Sequence, residues 1–241
     1  MSVALLTNEL SDEDLETVAA ELEGAAPEEV LTWALDTFSP DIAMATGFGL
    51  EGCALVSILA GLQRPVRIFY LDTDLLFPET YALRDALETR YGVRFERRAT
   101  NLSLTEQALR HGDKLWERNP DECCRLRKIK PLRQMLSGLR AWISGIRRQQ
   151  TSTRATARVI ERDAQFDLVK INPLVSWTAR DVWRYVREHE VPFNPLLNQG
   201  YESIGCVPCT TPITTGEDPR AGRWRGQNKI ECGIHLQGNG R

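Results

Sequence analysis

The chain has 241 residues, 42% of them hydrophobic and 26% charged, with 30 Lys and Arg against 33 Asp and Glu for a net charge of -3. That balance argues against a general nucleic-acid binder, the length suffices to bury a full core, and no apolar run approaches the roughly 20 residues that cross a bilayer. The amino terminus shows no basic stretch leading into a long apolar run, so a cytoplasmic location is expected, where six cysteines read as ligands or catalysts rather than disulfides.

Residues 9–38 read as two short helices, the first capped by Ser11 ahead of Asp12, Glu13 and Asp14, the second opened by Pro27. Both are expected to pack or to mediate dimerisation. Asp41–Ala45 is an apolar strand that runs through Thr46-Gly47-Phe48-Gly49 into the apolar helix Leu50–Leu62. Strand, glycine turn and buried helix set backbone N–H groups and a helix amino end against a phosphate, although such a turn alone is as often an ordinary tight turn. Cys53 on that helix reads as a small core residue.

Arg67–Leu71 is the next strand, ending in Asp72-Thr73-Asp74, and a helix follows from Pro78 to Tyr91. Asp72 falls on the strand edge where parallel sheets bind ligands, while Asp74 reads as a loop cap. Val93–Arg97 is a third strand, Ser103–Arg110 a helix, and Asp121–Ser137 another, on which Cys124 and Lys128 share a face. Ala141–Ser144 delivers Arg147 and Arg148 to the same edge, where paired guanidiniums bind phosphate or sulfate, against the commoner outcome of a solvated loop. Thr151–Arg158 is polar and is expected to be mobile or a lid. Asp167–Ile171 is the last strand and Thr178–Glu190 an amphipathic helix. Repeated strand–helix units predict an α/β, doubly wound, mainly parallel sheet. The basic residues crowded between Arg125 and Arg158 predict a pocket for a small polyanion.

The cysteines carry the chemistry. Cys123 and Cys124 are adjacent, Cys206 and Cys209 form a Cys-x-x-Cys, and four thiolates in two close pairs make a metal or iron–sulfur site assembled by the fold. Two paired motifs alone favour structural zinc, and so a zinc-stabilised nucleotide- or RNA-binding module; the adjacent pair, with no spacer, is unlike such sites. Cys232 is left over in Glu231-Cys232-Gly233-Ile234-His235, and with Lys229 beside it reads as a nucleophile.

Seven stretches in order from residue 45 to 235 resemble the adenylyl-sulfate and phosphoadenylyl-sulfate reductases of assimilatory sulfate reduction. They are Thr46-Gly47-Phe48-Gly49-Leu50-Glu51, Leu71-Asp72-Thr73-Asp74 with Phe77-Pro78-Glu79-Thr80, Cys123-Cys124-x-x-Arg127-Lys128, Arg147-Arg148-x-Gln150, Ile204-Gly205-Cys206-x-x-Cys209, Glu217 to Trp224, and Glu231 to His235. The related ATP pyrophosphatases carry a Ser-Gly-Gly-x-Asp-Ser turn that is absent here. Family members often have serine where this chain has Ala45 and Gly47, leaving Thr46 as the hydroxyl of the turn.

The resemblance implies an adenine nucleotide α-hydrolase-like fold and, because both cysteine pairs are present, the branch that holds a [4Fe–4S] cluster on Cys123, Cys124, Cys206 and Cys209. That branch generally takes adenylyl sulfate; phosphoadenylyl sulfate is the alternative. Cys232 would be the nucleophile, with Lys128, Arg220 and Arg223 shielding the approach of two anions and Arg148 and His235 assisting. Thr46, Gly47, Phe48, Gly49, Asp72 and Arg147 would line the nucleotide. Thioredoxin would be the electron donor, and the family commonly assembles as homo-oligomers. The expected division is helices over 1–40, a nucleotide- and cluster-binding domain over 41–215 and a C-terminal segment over 216–241, mobile through Gly233, Gly238 and Gly240.

Overall fold

A computed structural model describes residues 10–229 and 231–235. Helix α1 (Asp12–Glu21) starts at Ser11, whose hydroxyl accepts from the Asp14 N–H while the Asp14 carboxylate accepts from the Ser11 N–H. This reciprocal box satisfies two backbone donors that the first turn leaves open. Helix α2 (Pro27–Phe38) follows with Pro27 in its first turn.

Strands β1 (Ile42–Thr46), β2 (Arg67–Asp72), β3 (Phe95–Ala99), β4 (Ala141–Ile143), β5 (Ile160–Asp163) and β6 (Leu168–Ile171) form one sheet in the order β3-β2-β1-β4-β6-β5. All pairs are parallel except β5 with β6. Between the strands run α3 (Leu50–Leu62), α4 (Pro78–Tyr91), α5 (Leu104–His111), α6 (Leu115–Arg118), α7 (Pro120–Cys124) and α8 (Lys130–Leu136), and α9 (Ala179–Glu188) follows β6. The chain thus alternates strand and helix as its sequence predicts, with one edge strand, β5, that its polar Ile-Glu-Arg-Asp sequence concealed.

Side-chain alternation divides the sheet into two unequal faces. Ile42, Met44, Ile68, Tyr70, Ile143 and Ile171 point into the large core with α2, α3, α4 and α9. Ala43, Phe69, Trp142 and Leu168 point into a smaller cluster covered by Leu132, Met135 and Leu136 of α8 and flanked by Ile234 of the C-terminal segment. One helix is too narrow to cover that face, and the end of the chain completes it.

The predicted helix over Asp121–Ser137 is interrupted. Residues Arg125–Ile129 form a π turn between α7 and α8, closed by the Lys130 N–H donating to the Arg125 carbonyl. The widened turn precedes Pro131, whose ring would otherwise press on the carbonyl of Arg127. Within Thr151–Arg158, expected to be mobile or a lid, Ser152–Arg154 is a short 3-10 turn and the Arg154 side chain is buried.

Candidate active site

The strand order reverses direction between β1 and β4, so their carboxyl ends open the crevice where doubly wound sheets bind ligands. The β1–α3 turn lies there. Thr46 Oγ1 accepts from the Phe48 N–H at 3.1 Å, and Phe48 adopts φ 56°. The Phe48 ring does not face a ligand: it is buried against Tyr70 and Phe95, which limits its part in the turn to its backbone. Gly49 caps α3 with no side chain, leaving the first N–H groups of this 13-residue helix without a side-chain acceptor. Gly52 is required, because a Cβ there would come within 2.6 Å of Thr46 Oγ1. Across the crevice a Cβ on Gly145 would lie 3.3 Å from Glu51 Cβ, so the loop after β4 abuts the amino end of α3.

Several expected anion ligands already have partners. Asp72 accepts from Arg97 at 2.6 Å, from the Tyr81 hydroxyl at 2.7 Å and from the Asp74 N–H at 2.9 Å. Burial pushes its carboxyl up, but those donors hold it below the usual range. Arg147 donates to Glu51 at 2.8 Å beside the crevice. Arg148 turns away altogether: its guanidinium is held by both Glu23 oxygens, at 2.6 and 2.9 Å, and by the Ala157 carbonyl at 2.8 Å. Its partner lies on the amino-terminal segment, so Arg148 braces the fold and is not placed to assist the nucleophile.

The four paired cysteines line one small recess with Thr73, Trp116, Lys128, Arg223 and Trp224. Cys123 and Cys124 end α7, and the loop of the second pair is tied to the segment after β2 by the Val207 N–H donating to the Leu75 carbonyl at 2.8 Å. Thr73 Oγ1 lies 3.3 Å from Cys206 Sγ. Below them, Arg127 is 1% exposed and donates to Gln107, the Thr73 and Leu102 carbonyls and Asp74, a brace that the π turn positions and that sequence reasoning left without a role. Burial, followed by the neighbouring sulfurs, pushes the Cys123 thiol up to about 11 and the Cys209 thiol to about 12. Cys53, buried alone in the large core, is pushed to about 12 by burial and by Glu51.

Lys128 is half-buried between this group and Cys232. Burial opposes its charge, yet the sulfurs of Cys206, Cys232 and Cys124 outweigh burial and raise its pKa. Arg220 and Arg223 converge on the Ser203 hydroxyl, at 3.4 and 3.3 Å, and the Arg223 guanidinium lies 4.4 Å from the Trp224 ring centre. Arg220 also reaches Glu231 at 3.2 Å. The buried Arg154, expected in a mobile loop, holds the same carboxylate at 3.0 Å. No local pattern announces either contact.

The segment around Cys232 is docked. Gln165 donates to the Gly233 carbonyl at 3.0 Å, Ile234 packs on the smaller core, and the His235 ring stacks on Trp142 at 5.7 Å with an interplanar angle of 3°. Burial, then Lys170, Arg154 and Arg220, hold His235 well below its ordinary value, so it is neutral and does not join the cations. Gly238 and Gly240 lie outside the described residues. Cys232 is thereby brought within electrostatic reach of Lys128, Cys124 and Arg220.

An open, mainly parallel sheet with a glycine turn and helix amino end at the reversal point, and a cation-lined recess beside it, defines an α/β protein of the adenine nucleotide α-hydrolase-like class. Candida glabrata FMN adenylyltransferase shares that fold, with a TM-score of 0.58 at 16% identity over 89% of this chain and 74% of that one. The crystal structure of phosphoadenylyl-sulfate reductase from Candida auris in complex with phosphate matches with a TM-score of 0.76 and 34% identity, covering 85% of this chain and 99% of that one. Residues 41–212 match the phosphoadenosine phosphosulfate reductase domain, and the chain belongs to that family. Among its relatives are the adenosine 5′-phosphosulfate reductase of Salinibacter ruber, 48% identical over 92% of this chain and 88% of that one, and adenosine 5′-phosphosulfate reductase 1 of Bacillus subtilis, 46% identical over 86% and 89%.

Proposed function

We propose that the protein is an assimilatory adenylyl-sulfate reductase, converting adenosine 5′-phosphosulfate to sulfite and AMP at the expense of a dithiol donor, thioredoxin. The observation that carries this reading is the docking of Cys232 beside Lys128 and Arg220, and the relatives' names support the non-phosphorylated nucleotide. The Cys232 thiolate attacks the sulfate sulfur, the sulfur–oxygen bond of the anhydride breaks, and AMP leaves with that electron pair. Two anions repel as they approach, so fixed cations in a desolvated site supply most of the catalytic effect, together with positioning. A donor thiolate then attacks Cys232 Sγ, sulfite departs, and the second donor thiol resolves the mixed disulfide, leaving the donor oxidised and Cys232 reduced.

Cys123, Cys124, Cys206 and Cys209 would hold a [4Fe–4S] cluster. All four thiols line one recess, and the adjacent Cys123–Cys124 pair, with no spacer, is unlike the ligand spacing of structural zinc sites. When bound, the cluster supplies a fixed buried charge beside Lys128.

Sulfite release from each nucleotide with thioredoxin tests the activity. Faster turnover of adenylyl sulfate is expected; exclusive use of the 3′-phosphorylated nucleotide would overturn the substrate assignment. Cys209→Ser should bleach the brown colour of protein purified without oxygen, and zinc in place of iron would defeat the cluster.

A further inference from the structure

Both cysteine pairs are fastened to one short stretch, residues 73–75, just past the carboxyl end of β2. The second pair is tied there by the Val207 N–H, which donates to the Leu75 carbonyl at 2.8 Å, and by Thr73 Oγ1, 3.3 Å from Cys206 Sγ. The first pair is tied there by Arg127, which stands in the π turn that follows Cys124. Its Nη1 donates to the Thr73 carbonyl at 2.9 Å and to Asp74 Oδ2 at 3.0 Å, while Nε reaches Gln107 Oε1 of α5 at 2.7 Å and Nη2 the Leu102 carbonyl at 3.1 Å. Four of the fork's five N–H groups are thus engaged by acceptors on three separate pieces of chain, in a side chain that is 1% exposed. A buried guanidinium so committed is held rigidly, because each lost bond leaves a desolvated donor or acceptor unpaired. Lysine could not replace it: one ammonium cannot span acceptors that the planar fork reaches in fixed directions.

We infer that Arg127 is a positioning residue for the paired cysteines: it sets the distance and orientation of Cys123 and Cys124 relative to Cys206 and Cys209, through the stretch 73–75 to which both pairs are fastened. This rests on the reading of the four thiols as cluster ligands. The same hold fixes Lys128, the next residue of the turn, beside those thiols.

The test reads the cluster itself, in full-length protein purified without oxygen. Two quantities are followed: the lifetime of the cluster against an iron chelator, by its visible absorbance, and its visible circular dichroism, which reports how the protein's ligands are arranged about it. Arg127→Lys keeps the charge and loses the fork. It should shorten the lifetime by about tenfold, the lower end of the effect of residues that orient metal ligands, and change the dichroism. Gln107→Leu removes one acceptor and leaves the guanidinium in place, so it should act in the same direction by a smaller factor, and it carries the test if Arg127→Lys does not fold. Leu35→Ala, a truncation on α2 in the large core, is the control for lost stability, which its urea midpoint measures; it should leave lifetime and dichroism unchanged. Wild-type lifetime and dichroism in Arg127→Lys, or in Gln107→Leu where that variant stands in for it, overturn the inference, as do equal losses in Leu35→Ala. A native protein that holds zinc, or no iron, would instead overturn the cluster reading.

Discussion

The proposed role of Lys128 is electrostatic, exerted from a half-buried position beside the paired cysteines. Surrounding sulfurs hold it protonated against its burial, and removing a single pre-positioned donor to developing charge costs on the order of a hundred-fold in turnover. Lys128→Ala should therefore lower the rate of sulfite release by about that factor while AMP affinity in calorimetry changes by less than about threefold. An unchanged rate would leave Lys128 as a structural cation. Arg148 is the opposite case. Its cationic character was legible from the sequence, but its partner Glu23 is 125 positions away and only the fold brings them together. As a partly exposed ion pair it is worth about 1 kcal/mol or less, so Arg148→Ala should shift the urea midpoint slightly and leave AMP affinity unaltered.

The elements that build the site were legible where periodicity or turn chemistry is strong. The β1–α3 unit follows from an apolar strand, two glycines and an apolar helix, and the β4 edge follows from its position before Gly145. What could not be read was the fate of Phe48, since an aromatic in a ligand-binding turn looks the same whether it faces a ligand or the core. Strand β5 was hidden because an edge strand with one solvated face carries little apolar signal. The π turn also left no trace, because the helical spacing of Leu126, Ile129 and Leu132 survives one wide turn. At the β1–α3 junction, Gly52→Ala sets a methyl 2.6 Å from Thr46 Oγ1. Overpacking of this kind costs about 1–3 kcal/mol, and it should appear both as lower stability in urea and as weakened AMP binding, the turn being displaced with it. A variant that binds AMP normally would separate this turn from the nucleotide.

For the molecule as a whole, the unequal covering of the sheet is the organising feature. The large core takes α1, α2, α3, α4 and α9 on one face, while the other face has α8 with Ile234 and His235 packed beside it, the latter on Trp142. Cys232, the proposed nucleophile, is thus carried on a segment that helps to cover this face of the sheet. His235 makes that docking pH-dependent. Its docked pKa is depressed below the ordinary 6.5, so the docked form binds fewer protons than the released one. Docking is at full strength above pH 6.5 and weakens as the pH falls from there toward the depressed value. Hydrogen exchange at residues 231–235, corrected for intrinsic rate, should show protection lost on acidification, with a His235→Gln protein much less sensitive; equal loss in both would remove His235 from the effect.

The most direct test of the account is to mix the protein with adenylyl sulfate in the absence of any thiol donor and to examine the peptide that contains Cys232 by mass spectrometry. The account predicts an S-sulfonate on Cys232, formed in step with release of one AMP per chain and discharged as sulfite when reduced thioredoxin is added. AMP and sulfite released with Cys232 unmodified, or turnover retained in Cys232→Ser, would contradict it.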